Sequence, residues 1–514
     1  MKRARGLALL LVVVAATGAV AQPQGRPNIL FVVADDLNTR IGPYVDTSLE
    51  LHTPNLDRLA AEGVTFTRAY TQYPVCGPAR ASFMSGLYPE TNGVVTNGFE
   101  TANHRIATPA LADHPTLAGF FREHGYYSAR VSKIFHMGVP GGIERGEVGS
   151  DDPDSWDYAI NLMAPETLTP GNLEKLSRGN HYGSNFSRMI LPAGTELTQA
   201  DVLAADQAIA ILENRAGARP PGATNRTKFK EGEPFFLAVG FVRPHVPLIA
   251  PERHFAHYPA EDVELPYVLG DDLDDVPTEA GRNSNAAARF RMDETEQRKA
   301  IAAYYASISF MDEQLGRLLD ALERLGLRDN TIVVFISDHG YNLGEHTTWQ
   351  KTNLWEESVR VPLIISVPGT PNAGARSNAI VELIDLYPTL ADLSRLGGQA
   401  PPILQGESLV PLLESPTRAD PDGTAYTITG RNGASLRTDR WRYNRWGEDA
   451  AGDNEELYDH DNDPAEFHNL ARDPAYAAAL ETMRARFEQA RRNARTPAEA
   501  TPAVVPGAPR DPTS

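Results

Sequence analysis

Four apolar runs punctuate the chain, and each stops on polar residues. Asn28–Asp36 (NILFVVADD) ends in Asp35 and Asp36, and Tyr126–His136 (YYSARVSKIFH) ends in Lys133 and His136. Pro234–His245 (PFFLAVGFVRPH) ends in His245, and Asn330–Gly340 (NTIVVFISDHG) ends in Asp338 and His339. Unbroken Val/Ile/Leu/Phe runs of this kind suit strands covered on both faces. Helical patterns separate them. Thr53–Gly63 (TPNLDRLAAEG) has proline near its start and glycine at its end, the asymmetry expected of a helix. From Arg298 to Leu327, Ile301, Tyr305, Ile308, Leu315, Leu319 and Leu322 recur at helical spacing, and Leu383–Leu393 predicts a shorter helix. Strands alternating with helices predict an α/β fold with a large, mostly parallel sheet flanked by helices. Ligands of such sheets bind outside the carboxyl ends of the strands, where the four polar clusters fall.

The pattern changes along the rest of the chain. Val139 to about Thr198, rich in Gly, Pro and Asp, reads as long surface loops of the kind that shape a binding mouth. After about Pro402 come short segments (AYTITG, ASLRTD, WRYNRW, ELYDHDNDPAEFHNLA). They predict a smaller subdomain with an antiparallel sheet and a closing helix near Asp473–Arg492. The organisation expected is a leader at 1–21, a catalytic α/β domain at 22–401, a C-terminal subdomain at 402–493, and a disordered Pro/Ala-rich tail at 494–514.

The leader follows from Lys2, Arg3 and Arg5, then the apolar Leu7–Ala16, then Ala19-Val20-Ala21 as a cleavage site. That is a secretory signal, and it predicts a periplasmic or secreted protein. No segment approaches the roughly 20 apolar residues of a spanning helix, and no cysteine near the cut offers a lipid anchor, so no membrane anchor is expected. Loss of three positive charges takes the formal net charge from −19 to −22. Such a chain has no general attraction for nucleic acid, so cations that hold an anionic substrate must be few and local. Cys76 is the one cysteine in 514 residues. An exported chain meets oxidising conditions, yet a single cysteine closes no internal disulfide.

An Asp-Asp pair alone is most often a helix cap or a solvated loop. Asp35-Asp36 at one strand end and Asp338-His339 at another instead offer three carboxylates and an imidazole, a set suited to a hard divalent cation. A lone Lys is usually a solvated charge and a lone His usually structural. In Ser337–Lys351 (SDHGYNLGEHTTWQK), however, His339, Glu345, His346 and Lys351 follow a buried-looking strand in one loop. Beside such a cation, Lys133, His136, His245, His346 and Lys351 would form a pocket for a small tetrahedral oxyanion and stabilise charge on its oxygens.

Tyr70–Pro89 (YTQYPVCGPARASFMSGLYP) resembles the motif of the type I, formylglycine-dependent sulfatases, Cys-x-Pro-x-Arg, here Cys76, Pro78 and Arg80. Ala79 stands where many members have Ser. NILFVVADDLN, SKIFH, RPHVPL, SDHGYNLGEH, WQK and ELYDHDNDPAE follow in family order from about Pro27 to Leu470. The spacing of Ser337–Lys351 is similar to the iduronate-2-sulfatase branch, which likewise carries His at the place of His339.

The resemblance implies an alkaline-phosphatase/sulfatase-like fold. It also implies that a maturation enzyme oxidises Cys76 to 3-oxoalanine (formylglycine), hydrated to a gem-diol. Asp35, Asp36, Asp338 and His339 would bind Ca²⁺, or alternatively Mg²⁺, together with the modified Cys76. Arg80 would hydrogen-bond the diol, and Lys133 and Lys351 would grip sulfate. Asp338 would deprotonate the attacking hydroxyl, His245 would protonate the leaving alcohol, and His136 would collapse the diol. The substrate implied is a sulfated carbohydrate, and the acidic surface favours short oligosaccharides or chain ends over long sulfated polymers. The rival readings are a phosphonate monoester or phosphodiester hydrolase of the same superfamily, and a non-catalytic glycan-binding protein.

Overall fold

The computed structural model describes residues 25–44, 51–98, 103–178, 185–216, 232–420, 423–451 and 453–495. The leader at 1–21 lies outside the described residues, as does the tail from 496. Among the described residues, no helix is long and apolar enough to cross a membrane.

Among the described residues, eight strands form the central sheet, in the order Ala375–Glu382, Val64–Tyr70, Arg360–Ser366, Thr331–Ser337, Asn28–Asp35, Phe235–Pro244, Tyr127–Ser132, Tyr158–Ile160. All pairings are parallel except the two made by Arg360–Ser366. Every residue of Asn28–Asp35, Phe235–Pro244 and Thr331–Ser337 is buried, because helices and loops cover both faces. On one face Leu30, Val32, Val333 and Phe335 pack against the Glu294–Arg324 helix through Ile301, Ile308 and Leu315. On the other, Phe31, Val33, Val334 and Ile336 meet Phe83, Phe121 and Leu386. Each such side chain, fully buried, contributes about 1.5–3 kcal/mol.

The Glu294–Arg324 helix begins at a reciprocal cap: Glu296 N–H donates to Asp293, and Asp293 N–H donates to the Glu296 side chain. These bonds satisfy donors that the first turn leaves over. A half-buried helix, Ala200–Arg215, packs alongside and carries small alanines at the contact.

The Val139–Thr198 stretch is more ordered than its composition suggests. Tyr158–Ile160 extends the central sheet, and Asn172–Lys175, Ser187–Leu191 and Leu248–Pro251 make a three-stranded sheet of their own. At the C-terminal end, Ala425–Thr429, Gly433–Arg437, Trp441–Trp446 and Glu455–Asp459 form an antiparallel sheet. Against it lies the closing helix, Ala477–Arg495. Its last two residues fall where the sequence predicts the tail, because Ala494 is fully buried against this sheet's core. Buried Arg442 ties the sheet to the rest by pairing with both Glu356 and Glu466.

Candidate active site

The parallel pairing of Asn28–Asp35 with Thr331–Ser337 sets Ala34 beside Ser337. Asp35-Asp36 and Asp338-His339 therefore leave the sheet together. Neighbouring strand residues ordinarily face opposite sides, but Asp36 takes a left-handed backbone (φ 66°), which turns both carboxylates into one hollow. Asp36 N–H donates to Asp338 Oδ1 at 3.2 Å, and the Tyr304 hydroxyl donates to the Asp36 carbonyl at 2.7 Å. Strained backbone of this kind persists where surrounding bonds fix it.

Cys76 opens the Cys76–Ser85 helix, all of it buried. Its Sγ lies 3.2 Å from Lys351 Nζ, 3.3 Å from His339 Nε2 and 3.9 Å from Asp36 Oδ1. One turn on, fully buried Arg80 spans the hollow. Nε donates to Asp338 Oδ2 at 2.9 Å, Nη2 to Asp35 Oδ1 at 3.3 Å, and Nη1 to the Lys133 carbonyl. Lys133 Nζ is paired with Asp35 and Lys351 Nζ with Asp36. Three carboxylates thus meet three cations, and a divalent ion added here would leave positive charge for an anionic ligand.

Burial alone would raise the Asp35 carboxyl, but Lys133, His245 and Arg80 hold it well below the usual range. Asp36 is likewise lowered despite burial, by Lys351 first. Burial and Asp35 push the Cys76 thiol well above its ordinary value. His245 is pulled down to about 4 by burial, and His136 to about 2 by burial and Lys133. Both are therefore neutral at pH 7.

His339 Nδ1 lies 2.9 Å from the Gly340 carbonyl and His245 Nδ1 lies 2.6 Å from that of Val246. A carbonyl only accepts, so Nδ1 carries the proton in each neutral ring and Nε2 presents a lone pair to the hollow. His245 Nε2 stands 3.9 Å from Asp36 Oδ2. One donor atom each from Asp35, Cys76, Asp338 and His339 lie within 4.8 Å of one another, as do those of Asp35, Asp36, Cys76 and His245. An oxygen-rich set with an oriented imidazole fits a hard divalent cation.

Of the sequence-predicted residues, Asp35, Asp36, Cys76, Arg80, Lys133, His245, Asp338, His339 and Lys351 are brought together, with His136 close enough to feel Lys133 and Asp35. His346 is not. It pairs with Asp272 at 3.1 Å and stacks on Trp355. Three supporting residues are not singled out by the sequence. These are Tyr304, Asn97, which accepts from the Gly77 N–H at 2.7 Å, and Asn285, which donates to the Lys351 carbonyl at 3.0 Å.

Residues 27–396 match the family described as Sulfatase, and residues 344–493 match "N-sulphoglucosamine sulphohydrolase, C-terminal". The chain is 36% identical to a sulfatase of Formosa agariphila, over 90% of this chain and 86% of that protein. It is 32% identical to the choline-sulfatase of Rhizobium meliloti (88% and 83% covered). It is 31% identical to human iduronate 2-sulfatase (73% and 70% covered). The phosphonate monoester hydrolase structure from Agrobacterium radiobacter superposes with a TM-score of 0.71 at 24% identity, over 91% and 96% of the two chains, and shows the shared fold. A buried cysteine beside Lys351 and an aspartate-lined hollow, in a chain that matches this family's models over residues 27–493, places the protein in the formylglycine-dependent sulfatase family, as a hydrolase of sulfuric esters.

Proposed function

We propose that this chain is an exported sulfatase of sulfated carbohydrates, working through oxidised Cys76 and Ca²⁺. One observation carries the reading: Cys76 Sγ sits within 3.3 Å of both Lys351 Nζ and His339 Nε2, beside three buried carboxylates. A neutral, deeply buried thiol is a poor nucleophile, whereas the hydrated aldehyde of formylglycine supplies one hydroxyl to attack sulfur and a second to release sulfate. Asp35, Asp36, Asp338 and His339 would hold the cation, which supplies charge neutralisation for the sulfuryl oxygens and acidifies a neighbouring hydroxyl.

The remaining work falls to the side chains. Arg80, locked between Asp35 and Asp338, orients the side chain at position 76 from one turn below. Lys133 and Lys351 bind sulfate oxygens, and Asp338 takes the proton of the attacking hydroxyl. His245, its ring fixed through Nδ1, presents Nε2 to the leaving oxygen. An incoming anionic ester favours the protonated imidazole, so the proton is available when the C–O oxygen departs. His136 takes the proton of the second hydroxyl. The relatives acting on choline sulfate and on iduronate show that leaving groups differ within the family. The leader at 1–21 and the extracellular location of sulfated polymers support the choice of carbohydrate.

The test is a comparison of kcat/KM for 4-nitrophenyl sulfate and a phenyl phosphonate monoester on the exported protein, with mass analysis of the tryptic peptide bearing Cys76. Preference for the sulfate and a converted Cys76 are expected. Preference for the phosphonate selects the rival hydrolase, and full sulfatase activity with only free thiol at position 76 overturns the nucleophile.

A further inference from the structure

A groove that the chemistry above does not use, a cavity of about 330 Å³, is lined by segments that adjoin the site in the chain. That is within the size range of small-ligand pockets. Its lining includes Tyr73, three residues before Cys76, and Val95, two residues before the Asn97 that caps Gly77. It also includes the tip of the hairpin joining Ala425–Thr429 to Gly433–Arg437, with Arg431 at its turn. This tip reaches the site's other flank, since Thr429 Oγ1 donates to the Thr352 carbonyl at 2.7 Å, next to Lys351. The groove therefore abuts the segments that carry both Cys76 and Lys351.

Three arginines and two glutamates line it, an excess of one positive charge in a chain of formal net charge −19. Arg491 and Arg495 are engaged by Glu448, and Arg495 also faces Glu90 at 3.8 Å. Arg431 differs. Its half-exposed guanidinium meets Glu279 at 3.2 Å, a carboxylate already held by Arg282 at 2.6 Å. Two guanidiniums share one carboxylate there, which leaves donors for a second. Arg431 and Asn432 also both take left-handed backbone (φ 57° and 55°). Asn and Gly fill such turn positions most readily, so arginine at the first is a choice of side chain against backbone preference.

Resting on the carbohydrate-sulfatase reading, we propose that this groove is a subsite for a second, anionic sugar next to the one whose ester is cleaved, with Arg431 binding its carboxylate or sulfate.

The test measures kcat/KM for Arg431→Ala and Arg431→Gln on four substrates: 4-nitrophenyl sulfate, and sulfated disaccharides whose neighbouring residue is a uronate, a sulfated sugar or a neutral sugar. Loss of a charge-assisted bond predicts a drop of about tenfold, mainly in KM, on one or both charged-neighbour disaccharides. Activity on 4-nitrophenyl sulfate and the neutral disaccharide should change by less than about twofold, as expected for a contact remote from the reacting atoms. Loss confined to the uronate arm identifies a carboxylate as the ligand, and loss confined to the sulfated arm identifies a sulfate. Equal losses on all four substrates, or none on either charged disaccharide, overturn the subsite while leaving the sulfatase reading intact. A wild-type protein that cleaves no sulfate ester overturns both.

Discussion

Gly240→Ala tests how tightly the site depends on backbone contact. Gly240 lies in Phe235–Pro244, with its Cα beside Ser132 on one side and Val33 on the other. A Cβ there would stand 2.0 Å from the Lys133 carbonyl oxygen and 2.2 Å from its carbon. Contacts below 3.0 Å are essentially never seen, so the carbonyl must retreat by at least 1.0 Å, the difference between 3.0 and 2.0 Å. That same oxygen accepts from Arg80, which also holds Asp35 and Asp338. A displacement near 1 Å in positioning groups costs about 100-fold in rate, whereas overpacking one methyl costs about 1–3 kcal/mol of stability. Gly240→Ala should therefore fold, melt a few degrees lower, and lose about two orders of magnitude in kcat/KM on 4-nitrophenyl sulfate. Thermal unfolding and initial rates on the same preparation decide it. Activity within about threefold of wild type in a folded variant would refute the claim that close packing of these two strands sets the Lys133 and Arg80 geometry.

Lys351→Ala should lower kcat by about 10²–10³, the usual loss on removing one group that stabilises developing charge, measured with the same ester. Chelation should abolish turnover and lower the melting temperature, and Ca²⁺ at about 100 times its Kd should restore both, adding about 2.7 kcal/mol of stability. In Asp36→Asn this Ca²⁺-dependent rise in melting temperature should shrink or vanish. His346 is raised from 6.5 to about 9, since the bond to Asp272 and the nearby Glu357 outweigh burial. A raised pKa stabilises fully below 6.5 and fades as pH climbs through about 9. The gain is at most about 3 kcal/mol. His346→Gln should therefore melt lower than wild type at pH 6, and the gap should close by about pH 10.

Much of the fold was legible because buried parallel strands read as unbroken apolar runs, and four of them end on the residues that the site gathers. The alternation of strands and helices was legible for the same reason. The Ala200–Arg215 helix was not, since its buried alanines leave no clear polar face. Convergence was equally hidden. Adjacent aspartates point apart in a strand, and only the left-handed turn at Asp36 brings them together. Tyr304 sits in an apolar helical stripe where a tyrosine reads as core, yet its hydroxyl fixes Asp36. His346 shares a loop and a residue type with the site, but an aromatic stack and Asp272 draw it elsewhere. Local sequence names the candidates, and long-range packing chooses among them.

The pairing of Asn28–Asp35 with Thr331–Ser337 joins segments some three hundred positions apart, with the Phe235–Pro244 strand zipped to the outer side. A stretch of chain that stops before Asp338 cannot bring the aspartates together, so competence waits for the Thr331–Ser337 strand to join the sheet. The same closure shuts Cys76 away, leaving it 1% exposed. In the closed structure that side chain presents almost no surface to a modifying enzyme. The oxidation proposed above would therefore have to compete with the collapse of the sheet.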